Sequence, residues 1–368
     1  MSAPSGPVSG EGTATPGRVM VAMSGGVDSA VAALLCQRAG HEVVGVTLKL
    51  WGGQSDRGCC SVADVDDARR VADRLGIEHH VFNFAEQFSA SVVEPYIDAH
   101  RQGITPNPCI ECNRHLKFDA LTRRARTLGF DLVATGHHAR IIRRDHHWRL
   151  ARGADAAKDQ SYVLYMLDQP TLAGTLFPVG TMAKSEVRRL AAEAGLRSAN
   201  KPDSQDVCFI AGEPGQARRT FLADRLALRP AVVVDQAGVT VGATAGVQLV
   251  TIGQRRGLGL GGGAAPRYVL DVDHRRDTVT VGPREALLES TVHLDGFAPA
   301  DAELPPSPTG RVLVQCSAHG PARPATIEGR TLIWEEPQIR VAPGQSVVFY
   351  DPAAPDEVLG GALVAPSR

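Results

Sequence analysis

Ser24-Gly25-Gly26-Val27-Asp28-Ser29 follows an apolar run, Val19 to Met23, and leads into Ala30-Val31-Ala32-Ala33-Leu34-Leu35. The apolar run has the pattern of a buried parallel strand, and the residues after the loop suit a helix. Gly25 and Gly26 lack a Cβ, so the backbone there can turn sharply and approach a ligand. The N–H groups at the start of the following helix are suited to an anion. No Gly-Lys-Ser/Thr follows, so the loop is not a Walker A loop. The competing reading is a plain strand-to-helix turn that needs small residues.

Thiols form the second group. Cys109 and Cys112 make a C-x-x-C directly after Gly103-Ile104-Thr105-Pro106-Asn107-Pro108, and Cys208 closes Lys201-Pro202-Asp203-Ser204-Gln205-Asp206-Val207-Cys208. Cys112 is expected at or next to a helix start, where backbone dipoles favour a thiolate. An ordinary cysteine, with a pKa of about 8.5, is only ~3% thiolate at pH 7, and lowering that to about 7 makes it half thiolate. Three readings compete. Zinc wants four ligands and there is no second C-x-x-C, so His115 or His137 would have to be recruited. The others are inert buried thiols, and redox or sulfur-transfer chemistry. Cys36 is expected in the core and Cys316 in a structural strand, while Cys59-Cys60 opens a loop with no specific role.

These residues need elements to hold them. The first helix is expected to end near Gly40. A strand follows from Glu42 to Lys49, then a helix capped by Ser61 and Asp64 and ending before Gly76. A third strand covers His79 to Phe84, and a helix Glu86 to Arg101, with Pro95 a flaw in it. Gly103 to Pro108 is expected to be neither helix nor central strand. A helix then runs from about Cys112 to Leu128, and a strand from Asp131 to Ala134 ends in Thr135-Gly136-His137-His138. Alternation of this kind predicts an α/β fold with a doubly wound parallel sheet. Gly25, Leu48 and Gly136 would lie on its carboxyl edge, where ligands bind. Lys184 to Ala194 reads as a further helix. Short strands are expected over 230–282, around Thr251-Ile252-Gly253-Gln254-Arg255-Arg256-Gly257-Leu258-Gly259, and a barrel or sandwich from Pro283 onward. The expected organisation is a disordered tail over 1–17, a catalytic domain over 18–211, a small central domain over 212–282 and a β-barrel over 283–368.

With 368 residues and 43% hydrophobic content the chain reads as globular, and no uninterrupted apolar run reaches the ~20 residues that span a bilayer. The Gly-, Ser-, Pro- and Thr-rich beginning lacks the pattern of a signal or transit peptide, so the expected compartment is the cytoplasm, and seven cysteines there argue for thiols over structural disulfides. A net charge of −1 excludes a global basic field for nucleic acid. Local arginine pairs remain: Arg123-Arg124, Arg143-Arg144, Arg188-Arg189, Arg218-Arg219 and Arg255-Arg256.

Taken in order, Ser24–Ser29, Thr105-Pro106-Asn107-Pro108-Cys109-Ile110-Glu111-Cys112-Asn113, Thr135-Gly136-His137-His138-Ala139-Arg140, Lys158-Asp159-Gln160-Ser161, Asp203–Phe209 and Thr251–Gly257 resemble the tRNA-specific 2-thiouridylase family. The family belongs to the PP-loop ATP pyrophosphatases, and the likeness covers nearly the whole chain. It implies that ATP adenylates the C2 carbonyl oxygen of the wobble uridine in tRNAs for lysine, glutamate and glutamine, and that sulfur then displaces AMP. By matching position, Cys208 would carry a persulfide and Cys112 would be its nucleophilic partner. Ala22, Met23, Ser24, Gly25, Gly26, Val27, Asp28, Ser29, Leu48 and Gly136 would contact ATP, with Asp28 helping to place Mg²⁺. Asn107, Pro108 and Cys109 would line the target-base pocket, and Lys158, Asp159, Gln160, His137 and Gln345 would contact tRNA. The implied partners are tRNA and a sulfur donor, either a cysteine desulfurase or a relay protein, and the expected state is a monomer. Many members have Asp where this chain has Cys109. The variant with C-x-x-C plus a distal Cys is linked to a [4Fe–4S] cluster, here on Cys109, Cys112 and Cys208. The barrel motif Arg-Tyr-Arg-Gln of relatives is replaced by Gln315-Cys316-Ser317-Ala318-His319. Rival readings are an amide-forming PP-loop ligase, which would not need the thiols, and a non-catalytic iron–sulfur or RNA-binding protein, which would not need the Ser24–Ser29 loop.

Overall fold

β1 (Arg18–Ala22) is the middle strand of the first sheet. Val19 and Val21 face one apolar layer, shared with α1 (Val27–Arg38) and the helix Lys184–Glu193. Met20 faces the other, shared with the helical residues 85–101 and 108–127. A strand covered on both faces is apolar at every position, which is why Val19 to Val21 read as an unbroken run. β2 (Glu42–Lys49) and β3 (Glu78–Asn83) lie on one side of β1, and β4 (Leu132–Thr135) lies on the other. The chain next forms an antiparallel hairpin, β5 (Ala139–Arg144) and β6 (His147–Arg152), then returns beside β4 as β7 (Thr175–Leu176). The order β3-β2-β1-β4-β7 is wholly parallel and doubly wound, as expected from the alternation. Its direction reverses between β1 and β4, which opens a crevice at their carboxyl ends.

The computed structural model describes residues 16–51, 61–144, 146–201, 207–210, 216–261, 265–299 and 310–366. Most of the expected tail and the stretches 59–60, 203–206 and 305–308 lie outside it.

Local signals explain most boundaries. The Ser61–Asp64 capping box opens α2 (Val62–Leu75), and Gly76 closes it at φ 67°. Pro95 is no break: residues 85–101 are helical throughout, and the turn directly before Glu94–Arg101, Ser89–Val93, is π-helical, a local adjustment of the hydrogen-bond ladder next to the proline. One expectation is corrected. Pro108 is not loop but the first residue of the helix Pro108–Cys112, and helical backbone continues to Thr127. Asn107 caps it, its side chain accepting from the Cys109 N–H at 3.1 Å. Proline at the first helical position gives up an N–H that has no partner there anyway. The C-x-x-C therefore lies on the helix rather than before it.

After the helix Ala217–Ala223, the second unit has β8 (Ala231–Asp235), β9 (Thr240–Thr244), β10 (Tyr268–Asp273) and β11 (Thr278–Gly282), in the order β10-β11-β8-β9. A closed six-stranded barrel follows: β12 (Leu288–Pro299), β13 (Gly310–Gln315), β14 (Arg323–Glu328), β15 (Thr331–Ile339), β16 (Ser346–Tyr350) and β17 (Val358–Val364). Val348, Tyr350 and Val358 of the barrel share an apolar cluster with Tyr162, Leu164 and Tyr165 of the first unit. Among the described residues no helix is long and apolar enough to cross a membrane.

Candidate active site

The Ser24–Ser29 loop lies at the mouth of the β1–β4 crevice. Gly25 has φ 73°, and a Cβ on it would stand 2.4 Å from the carbonyl oxygen of Asp64 at the start of α2. Gly136, just past β4, presses on the first turn of α1: a Cβ there would stand 2.5 Å from the Ser29 nitrogen. Both positions need glycine because backbone packs on backbone. Ser29 holds the loop from inside, its hydroxyl accepting from the Ser24 N–H at 3.1 Å and donating to the Gly26 carbonyl at 3.1 Å. Gly26 is the N-cap of α1 and offers no side chain, so the first-turn N–H groups keep their capacity for an anion. Ser24 is exposed and Gly26 and Asp28 are half-buried, whereas Val27 is buried. Met23 donates its N–H to the Val46 carbonyl, and both it and Leu48 are buried side chains beneath the crest.

Asp28 is bound on both oxygens. Lys184 Nζ reaches them at 2.6 and 2.8 Å, and His138 Nε2 donates to Oδ1 at 3.0 Å. Burial alone would raise the Asp28 pKa, but the hydrogen bonds from His138 and Lys184 outweigh it and hold the carboxyl below its ordinary value. The oxygens expected to help place Mg²⁺ are thus taken by a lysine and a histidine. The residues as folded do not fit a magnesium ion bound directly to Asp28. Lys201 flanks the other side of the loop, 3.3 Å from the Gly25 carbonyl and paired with Asp64 and Asp67. Burial lowers its pKa, but the bonds to Asp64 and Asp67 more than reverse this and raise it. Sequence reasoning missed Lys184 and its partnership with Asp28; 156 residues separate the two. The lone signal was a lysine opening an expected helix.

Cys109 is the second residue of its helix and exposed; Cys112 is the fifth and only 7% exposed. The helix-start effect fades within one turn, so it bears more on Cys109 than on Cys112, a correction to the expectation. Cys208 is half-buried and packs against the same apolar cluster that contains Cys112. The neighbouring Phe209 ring anchors that segment, with ring centroids 5.2–5.6 Å from Phe88, Tyr96 and Phe221 and 6.3 Å from Trp51. Two thiols nearly a hundred positions apart in sequence are thereby brought to one cluster. Among the described residues no three His, Cys, Asp or Glu side chains gather to hold a metal. Cys109, Cys112 and Cys208 are the thiols that a [4Fe–4S] cluster would draw on; Cys112 and Cys208 share one apolar cluster, and Cys109 is exposed. Burial pushes the Cys36 thiol up to about 12, and burial and then Glu289 push the Cys316 thiol up to about 12.

The five residues named for RNA contact divide. His137 is buried between Phe118 and Phe177, its Nδ1 is 2.7 Å from the Thr135 hydroxyl, and burial drives its pKa far down. Asp159 is buried and accepts from the Gly153 and Ser161 N–H groups, the Ser161 hydroxyl and Arg152. Gln160 clamps the His138 backbone from both sides, behind Asp28. Gln345 donates to the Thr105 carbonyl at 2.5 Å. Lys158 is half-buried. Gln315, in the segment that departs from the family motif, is buried and donates to the Ser317 and Ala318 carbonyls.

Comparisons with known proteins agree with this layout. Residues 17–212 match the family model described as the tRNA methyl transferase HUP domain, 219–283 the tRNA methyl transferase PRC-barrel domain, and 302–364 the aminomethyltransferase beta-barrel domain. The tRNA-specific 2-thiouridylase of Roseiflexus castenholzii is 46% identical, over 95% of this chain and 99% of that protein. The one from Chloroflexus aggregans is 47% identical over 94% and 98%, and the one from Acidothermus cellulolyticus 47% over 95% and 98%. With a doubly wound sheet, a glycine-turn loop in its crevice and two thiols brought to one cluster beside it, the chain belongs to the tRNA-specific 2-thiouridylase family.

Proposed function

We propose that this protein is an ATP-dependent tRNA-uridine 2-sulfurtransferase acting in the cytoplasm on the wobble uridine of tRNAs for lysine, glutamate and glutamine. The observation that carries the reading is the convergence of Cys112 and Cys208 on one cluster of the domain that presents the Ser24–Ser29 loop. The α1 first turn and the loop crest receive the triphosphate, and the uridine O2 attacks the α-phosphorus, releasing pyrophosphate. Mg²⁺ carried on the phosphates would neutralise their charge, and the two lysines bordering the loop, Lys184 and Lys201, are themselves paired with Asp28, Asp64 and Asp67. AMP is then a far better leaving group than hydroxide. An unpaired anticodon base leaves its stack at little cost to reach the Asn107–Cys109 pocket.

Sulfur arrives from a cysteine desulfurase or relay protein as a persulfide on Cys208. In one route the Cys112 thiolate attacks the inner sulfur, forming a Cys112–Cys208 disulfide and releasing hydrosulfide, which adds to C2 and expels AMP. In the other the terminal sulfur attacks C2 and Cys112 then cleaves the S–S bond. Both leave the same disulfide, which a thiol reductant must reopen. Lys158 is assigned to the RNA backbone, while Asp159, Gln160 and His137 act by holding the loop and the crevice. The protein is expected to work as a monomer. An assay with ATP, a sulfur donor and unmodified tRNA tests the reading: AMP, pyrophosphate and 2-thiouridine should form together. AMP without thiolated base would favour a different ligase.

A further inference from the structure

The segment that leads into the thiol helix is gripped by both other units at three consecutive residues. The ring of His274, from the turn after β10, packs on Gly103 so closely that a Cβ there would stand 2.2 Å from the imidazole. Ile104 packs on Gly344 of the barrel, where a Cβ would stand 2.2 Å from Ile104 Cγ2. The Thr105 N–H donates to the Pro343 carbonyl at 2.9 Å, and its carbonyl accepts from Gln345 Nε2 at 2.5 Å. Its hydroxyl is 3.5 Å from that of Thr251, in the glycine-rich segment of the central unit. The backbone groups of this loop residue are thus spent on a segment 240 positions away in sequence. The barrel side is itself fixed: Tyr162 donates to the Ser346 carbonyl at 2.9 Å, and the Tyr165 hydroxyl is 3.3 Å from Ser346 Oγ. Two residues beyond Thr105, Asn107 caps the helix that carries Cys109 and Cys112.

We propose that Gln345 is a positioning residue for sulfur transfer: through Thr105 it sets the register of the base pocket and the thiol helix, so the barrel assembles the site. The inference rests on the sulfurtransferase reading. It differs from direct RNA contact by Gln345, because its amide nitrogen is committed within the protein before RNA arrives.

The test compares wild type with Gln345→Ala and Gln345→Glu; the second keeps the shape and loses the donor. Without tRNA, amide exchange over 103–112 and alkylation of Cys112 should both accelerate about tenfold in each variant, the scale of one lost hydrogen bond in a loop. In the full assay kcat should fall about tenfold while KM for tRNA stays within about twofold. Unchanged exchange and alkylation with a raised KM would overturn the proposal and leave Gln345 as an RNA contact. If the wild type fails to thiolate while the exchange difference persists, the functional reading fails and the strut stands. Thr251→Val gives an independent check on the central-unit side, with faster exchange over 103–107 expected and no change counting against the proposal.

Discussion

At the scale of single residues, the chemistry divides between two sulfurs and one ion pair. Cys112→Ser and Cys208→Ser should each abolish thiolation while leaving ATP binding intact, checked by thiouridine analysis and nucleotide titration. Persistent thiolation in either variant would remove that thiol from the mechanism. Lys184 makes a different prediction. Its Nζ and Asp28 are largely buried, with side chains 11% and 28% exposed. Breaking a buried pair from one side costs about 3–5 kcal/mol, less here because His138 remains on Asp28 and the carboxylate is partly solvated. Lys184→Ala should therefore lower the melting temperature and weaken ATP binding about tenfold. The double variant with Asp28→Asn should regain stability without regaining turnover. Calorimetry and pyrophosphate release measure the two effects separately.

At the scale of elements, the helix that begins at Pro108 decides where the thiols lie. Asn107→Ala removes its cap, which costs about 1 kcal/mol. Turnover should slow severalfold with little change in ATP affinity, read by single-turnover thiolation. Phe209→Ala strips the anchor of the Cys208 segment from its aromatic pocket; persulfide loading should survive and transfer to the base should fail. Much of this was legible beforehand. The alternation of apolar runs and helix caps gave the doubly wound sheet, and Ser61–Asp64 and Gly76 marked α2 because capping is local. Pro108 misled because proline breaks a helix interior but opens a helix at its first position, and sequence alone does not say which. The short β7 and the β5–β6 hairpin were invisible because their pairing is set by distant partners. The Asp28–Lys184 pair and the occupation of Asp159, His137 and Gln345 within the protein were hidden for the same reason: motifs name residues, and packing decides what their side chains are already holding.

At the scale of the molecule, three units close on one site, and burial depresses three histidines: His137 inside the first unit, His100 facing the central unit, and His274 packed on Gly103. His100, on the helix facing the central unit, has its pKa lowered from 6.5 to about 4, by burial and then by Arg218. His274 is lowered by burial and then by Arg229, and His137 by burial and then by Lys117. A histidine with a depressed folded pKa contributes stability that is present above its unfolded value and lost as pH falls towards the folded one. Melting temperature should thus be highest above pH 7 and decline between about 6.5 and about 4; His100→Gln should flatten that decline. A melting temperature independent of pH across this range would contradict the burial of these rings as neutral groups. The central claim, that Cys112 and Cys208 act as one sulfur-transfer pair, is tested most directly by a single turnover of persulfide-loaded protein with ATP and tRNA, without reductant. Mass spectrometry should find one Cys112–Cys208 disulfide for each 2-thiouridine formed; thiolated tRNA with both cysteines still reduced would contradict the account.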